Sequence, residues 1–167
     1  MEKGIKYKPC RSTVYPPSGF VLEKHKELLD LPDESLVLDY VYGYSVRSCL
    51  GTSLFCTFDG RLVYPASAVI VIHSVRINRQ DHFLNHEDEI TALAMHPNGR
   101  IFASGETGFK PRVFVWDAGS LEGDMVKVIG SPMYMQERSV SVAALQFSND
   151  GKYLVGISTG SRDIVLA

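Results

Sequence analysis

The sequence predicts an all-β chain assembled from repeated small sheets, and three observations carry that prediction. From Leu36 onward the apolar residues fall in short runs rich in β-branched and aromatic side chains, separated by Gly, Pro and Asp. An Asx-Gly pair occurs three times, each time followed by a basic residue and two apolar ones: Asp59-Gly60-Arg61-Leu62-Val63, Asn98-Gly99-Arg100-Ile101-Phe102 and Asp150-Gly151-Lys152-Tyr153-Leu154. Such pairs predict two-residue hairpin turns, because both residues tolerate positive φ. The second and third copies then superpose without gaps at an offset of 52 residues, Asn98 on Asp150, which lays Ile90–Met95 on Val142–Phe147. Short strands repeating every ~40–50 residues mark the blades of a β-propeller. A β-sandwich predicts the strands and turns but not the self-similarity.

Composition agrees with a globular domain. Of 167 residues, 45% are hydrophobic and 22% charged. The 17 basic and 19 acidic residues leave a formal charge of -2, so no global field attracts nucleic acid. Cys10, Cys49 and Cys56 are odd in number and lack zinc or disulfide spacing, which reads as free thiols in a reducing compartment. The longest aliphatic run, Val69–Ile72, is far too short to cross a bilayer.

Residues 1–33 read as an extended basic arm. Pro9, Pro16, Pro17 and Pro32 remove backbone donors and fix φ, while Lys3, Lys6, Lys8 and Arg11 outnumber Glu2 at the start. Strands follow over Leu36–Leu38, Val41–Tyr44, Leu54–Cys56, Leu62–Tyr64 and Val69–Ile72. In the second of these, Tyr40, Tyr42 and Tyr44 alternate with Val41 and Gly43, which places three phenols on one face. They form either an exposed partner platform or a buried wall, and the wall is favoured because large aromatic side chains are mostly buried.

Between Asn85-His86 and Trp116-Asp117 the chain runs strand, Asn-Gly turn, strand, loop. That resembles a WD repeat, with Asn85-His86 for the usual Gly-His. The resemblance implies a buried polar chain of His86, Ser104 and Trp116, with Asp117 closing the motif. The family's Asp before the Trp strand is missing from Glu106–Arg112, where Glu106 is the substitute at hand. Upstream, the stretch from Leu36 through Tyr44, followed by Arg47-Ser48-Cys49, the Asp59-Gly60 hairpin and Ala68–Ile72, resembles the HELP motif, with Tyr40 where that motif has Trp. HELP followed directly by WD repeats is similar to the echinoderm microtubule-associated protein-like family. The implied organisation is an arm over 1–33, HELP over 34–76, a first WD repeat over 77–130 and an incomplete second over 131–167, a partial WD-repeat β-propeller. At the offset of 52, the second Trp would fall at position 168, one residue past Ala167. The expectation is a piece of a longer protein, or a ring completed by another chain.

Chemical motifs fail on inspection. Gly156-Ile-Ser158-Thr-Gly160 matches a nucleophile elbow, yet no His follows it and the next segment reads as a strand. His82 and His86 have helical metal-ligand spacing without a third ligand. Gly105–Pro111 resembles a phosphate loop but lacks the Lys-Ser/Thr pair, and reads as a mobile loop at the rim. His73 and His96 show no partner. The expected protein is therefore not an enzyme and uses no cofactor or metal. The resemblance implies binding to tubulin or the microtubule lattice, with Lys3, Lys6, Lys8 and Arg11 facing acidic tubulin. Other microtubule-associated proteins or a ring-completing chain are further partners, nucleic acid and membrane are not, and the expected site is the cytoplasmic cytoskeleton, ciliary or flagellar axonemes included. An adaptor for a client other than tubulin is the second reading, since fold does not fix function.

Overall fold

The computed structural model describes residues 18, 19, 21, 35–45, 53–119, 125–135 and 139–160, and the backbone of 164–166. Lys3, Lys6, Lys8, Arg11, Cys10 and Cys49 lie outside the described residues. The chain divides into two units, Met1–Asp39 and Tyr40–Ala167, and every described strand belongs to the second.

Three antiparallel sheets follow one another along the chain. The first joins β1 (Phe55–Cys56), β2 (Leu62–Ala66), β3 (Val69–Ser74) and β4 (Arg79–Phe83) in order. The second joins β5 (Ile90–Met95), β6 (Ile101–Glu106) and β7 (Arg112–Asp117), with β8 (Lys127–Val128) and β9 (Met133–Tyr134) both paired to β7. Gly130 at φ +72° lies between these two short strands, so one outer strand is interrupted rather than doubled. The third joins β10 (Ser141–Phe147), β11 (Leu154–Thr159) and β12 (Ile164–Leu166). No closed ring is formed among the described residues, and the architecture is that of a partial propeller.

The turns differ from expectation in one respect. Gly60, Gly99 and Gly151 have positive φ, but Asp59, Asn98 and Asp150 do not. Each glycine N–H instead bonds the carbonyl three residues back, Thr57, His96 or Ser148. In the second and third turns the Asx side chain caps the next strand, Asn98 Oδ1 accepting from the N–H groups of Arg100 and Ile101 and Asp150 Oδ1 from that of Lys152, whereas in the first Thr57 Oγ1 accepts from the Arg61 N–H. A type I turn ending in a left-handed glycine satisfies more backbone donors than the two-residue turn.

The repeat persists in fine detail. β5 is bulged against β6 at Thr91, and β10 against β11 at Ala143, 52 residues later. Thr91 Oγ1 donates to the Val142 carbonyl at 2.7 Å and so ties the second sheet to the third at its bulge.

Two apolar cores lie on opposite faces of the middle sheet. One contains Val63, Ile70, Ile72 and Phe83 with Ile90, Leu93, Phe102, Phe114 and Trp116. The other contains Ala92, Ala94, Ala103 and Val113 with Val142, Leu145, Phe147 and Leu154. The middle sheet turns small residues toward the third, and Gly105 sets how near the two approach. A Cβ there would lie 2.5–2.7 Å from the three side-chain carbons of Val142. Gly105→Ala is expected to destabilise the chain by ~1–3 kcal/mol through overpacking. Val142→Ala in the same chain should recover part of that loss in urea unfolding; additive losses would mean that Val142 is not what Gly105 makes room for.

Two expected strands are absent. Residues 35–45 form no strand, and Leu36 is 98% exposed. The segment from Tyr40 to Ser45 instead crosses the first sheet. Gln80 of β4 takes both backbone groups of Val41, accepting from its N–H at 2.8 Å and donating to its carbonyl at 3.2 Å. Ser45 N–H reaches the Pro65 carbonyl of β2, beyond the end of the two-residue β1. Alternation alone reads as a strand, but a ladder needs a free parallel edge, and here a side-chain amide supplies the bonds.

Candidate functional site

Alternation along β6 and β7 builds the main polar cluster. Phe102, Ser104 and Glu106 share one face of β6, and Arg112, Phe114 and Trp116 share that face of β7, with Phe102 opposite Trp116 and Ser104 opposite Phe114. His86 enters from the β4–β5 connection, between the Phe83 and Phe114 rings. Trp116 Nε1–H donates to Ser104 Oγ at 3.0 Å, Ser104 Oγ lies 2.7 Å from His86 Nε2, and His86 Nδ1 lies 3.0 Å from Glu106 Oε2. With Glu106 ionised, Nδ1 carries the proton and Ser104 donates to Nε2. Glu106 is thus a full member of the chain. It also accepts from Arg112 Nε at 2.6 Å and from the Glu87 N–H at 3.0 Å.

Desolvation pushes the His86 imidazole below its ordinary value, outweighing the opposing pull of Glu106. Burial by itself would raise Glu106, but hydrogen bonds from His86 and Arg112 hold it down at about 2. Both groups bind fewer protons folded than unfolded, so both contribute stability that is lost on acidification. The His86 contribution fades as pH falls below 6.5, and that of Glu106 between about 4.5 and about 2. The thermal midpoint should therefore begin to drop just below pH 6.5. In His86→Gln the onset should move into the carboxylate range; an unchanged onset would assign the acid sensitivity elsewhere.

Glu106, His86 and Ser104 stand in the order of a hydrolytic triad, but Ser104 is 0% exposed and its oxygen already holds the indole N–H. No substrate carbonyl reaches it, and what the chain does is clamp β6, β7 and the β4–β5 connection together. Asp117 takes no part. It lies at the other end of β7, where Arg100 Nε and the Gly119 N–H each donate to it at 2.8 Å. Burial would raise its carboxyl, and those two bonds lower it instead.

The tyrosine cluster is not a buried wall. Tyr42 is 92% exposed and Tyr44 about half exposed. Tyr40 packs on Tyr42 with centroids 4.7 Å apart and the rings tilted by 40°, and donates to Asn78 Oδ1 at 3.0 Å. Its hydroxyl also approaches His73 Nε2 at 3.3 Å, which gives that histidine a partner. Tyr44 meets Tyr64 edge-on and bonds Ser53. The sheet face that these rings cover is the one turned away from the core, so the wall has nothing to be buried against.

His96 has partners too. It accepts from the Asn98 N–H at Nδ1 and donates from Nε2 to the Gly151 carbonyl at 3.1 Å, linking the turns of the second and third sheets. Phe58 N–H does the same between the first and second through the Gly99 carbonyl. His82 bonds Gln80, so it shares no ligand position with His86, and among the described residues no group of three or more His, Cys, Asp or Glu is placed to hold a metal. Ser158 of the elbow-like motif is buried in β11 and bonded to Ser139. Arg112 and Gln80 escaped the sequence reading. The spacing Ser104-x-Glu106 was the available signal for the cluster, because it puts both on one face.

The stacked sheets and the His86–Ser104–Trp116 chain define the class as a WD-repeat β-propeller segment, and the WD domain, G-beta repeat family matches residues 78–117. By sequence the chain groups with the echinoderm microtubule-associated protein-like proteins. It is 36% identical over 146 residues to echinoderm microtubule-associated protein-like 2 of Rattus norvegicus, covering 83% of this chain and 22% of that one. It is 32% identical over 138 residues to the 77 kDa echinoderm microtubule-associated protein of Lytechinus variegatus, covering 79% and 19%. Echinoderm microtubule-associated protein-like 1 of Homo sapiens is 31% identical over 164 residues, covering 93% of this chain and 19% of that one. The chain thus spans about a fifth of the length of these curated relatives. Among solved structures, the WD40 beta propeller domain of Doa1 matches 68% of the chain and 34% of its own, with a TM-score of 0.49 and 16% identity.

Proposed function

We propose that this chain is a non-enzymatic, microtubule-associated protein of the cytoskeleton that binds tubulin through its HELP and WD-repeat segments, organised as 34–76, 77–130 and 131–167. The observation that carries the reading is the likeness to microtubule-associated relatives across four-fifths of the chain. The fold supports it physically, because a stack of rigid sheets holds its loops in place as a display surface without spending binding energy on ordering them. The basic arm adds an electrostatic contact through Lys3, Lys6, Lys8 and Arg11, since tubulin is acidic. The test is co-sedimentation of the full chain with polymerised tubulin. Pelleting with the polymer is expected, and neutralising the four arm residues should weaken it at low salt more than at high salt. A chain that stays in the supernatant would sink the reading, and equal pelleting of the arm variant would reduce the arm to a tail.

A further inference from the structure

The β6–β7 loop, which reads from sequence as a mobile rim segment, is held at both ends. Thr107 N–H donates to the Glu89 carbonyl, and Thr107 Oγ1 and Gly108 N–H both donate to the Val140 carbonyl. On the far side Pro111 is fully buried, its carbonyl accepts from the Met135 N–H, and Arg112 is tied to Glu106. Between these anchors only Phe109 and Lys110 project. Phe109 is 89% exposed, beside Tyr134 at 61%. Lys110 takes φ +57°, a left-handed conformation that costs energy in a non-glycine residue and more so before proline. A pinned loop that pays strain in order to hold a phenyl ring in water has the form of a pre-organised anchor.

The tip carries one positive charge at its apex. Behind it Arg112 is shared by Glu106 and Glu87, and Asp88 Oδ1 accepts from the Glu89 N–H. Lys110 makes no ion pair among the described residues, and its Nζ lies 5.8 Å from the Phe109 ring centroid. We infer that Phe109 and Lys110 form a docking tip that inserts the ring into an apolar socket rimmed by carboxylates on an acidic protein partner. This deepens the microtubule reading and rests on it, with tubulin as that partner.

The test uses Phe109→Ala and Lys110→Glu in the full chain, with co-sedimentation measured at two salt concentrations. Because both side chains project into water, the thermal midpoint of each variant should match the parent, which separates docking from folding. Phe109→Ala is expected to weaken binding at least tenfold at both salt concentrations. Lys110→Glu should weaken it mainly at low salt. If the parent pellets and both variants pellet equally well, the docking tip is overturned and the microtubule reading stands. If the parent itself does not pellet, both fall.

Discussion

Trp116→Ala is expected to cost ~3–5 kcal/mol, the range for truncating a large buried aromatic. Trp116 is 0% exposed and is stacked between Phe83 and Phe102, each with its centroid 5.0 Å away. One of these rings belongs to the first sheet and the other to the second, so the indole is a parallel-stacked contact between the two sheets, beside the edge-on pairs Phe55–Phe102 and Phe83–Phe114. Its loss opens a cavity at that junction and removes the N–H that Ser104 accepts. Against a total stability of order 5–15 kcal/mol, this is enough to leave a large unfolded fraction under mild denaturant. Trp116→Phe separates the contributions. It keeps an aromatic ring between the two phenylalanines but loses the hydrogen bond, and should cost only ~1–2 kcal/mol. Urea unfolding followed by circular dichroism compares them, since Trp116 is the sole tryptophan and cannot serve as the fluorescent probe in its own absence. Equal losses in the two variants would show that ring packing contributes little here.

Arg61→Ala is the second large effect, expected at ~3–5 kcal/mol because it leaves a partly buried carboxylate without its cation. Arg61 is 1% exposed, an unusual position for a guanidinium. Its Nε donates to both oxygens of Asp59 at 3.0–3.1 Å. Its terminal nitrogens donate to the Ala118 carbonyl at 3.1 Å and the Gly119 carbonyl at 2.8 Å, across in the second sheet. One side chain thus closes the β1–β2 turn and caps the end of β7. Thr57 Oγ1, which donates to the same Asp59, completes the turn. Arg61→Met with Asp59→Asn removes the charge pair while keeping most of the volume, and should recover part of the loss of Arg61→Ala. A loss below ~1 kcal/mol for Arg61→Ala would mean that water or Lys side chains replace the guanidinium without cost, and that the two sheets are not joined through it.

Arg61 also shows where sequence reasoning stops. Arg61, Arg100 and Lys152 occupy one position of the repeat, directly after the Asx-Gly turn. Arg61 is buried and crosses to the next sheet, Arg100 stays on Asp117 of its own sheet, and Lys152 lies in solvent beside Asp150 at 3.8 Å. Equivalent places in the sequence have three fates because each sheet meets a different neighbour. The polar chain divides similarly. His86, Ser104 and Trp116 could be placed from motif spacing and Glu106 named as the substitute for the missing Asp, whereas the Arg112 that holds Glu106 required knowing that β6 extends one residue beyond Gly105 and that Arg112 stands across from it.

The tyrosine segment is the clearest failure of local reasoning. Tyr40 to Tyr44 has the alternation of a strand and none of its ladder, because the Gln80 amide, 39 residues away, takes the backbone bonds of Val41. The sequence alone determined what is encoded at short range: the all-β class, the three Asx-Gly turns, the 52-residue repeat and the residue types of the polar chain. Each of these depends on contacts along one strand or across one turn. Only the tertiary structure decided which side chains are buried and which loops are rigid: the close approach permitted by Gly105, the crossing of Arg61, the exposure of Tyr42 and the pinned Phe109 tip. Those depend on how one sheet lies against the next, and packing between sheets is set by partners too far apart in the chain for any periodicity to register.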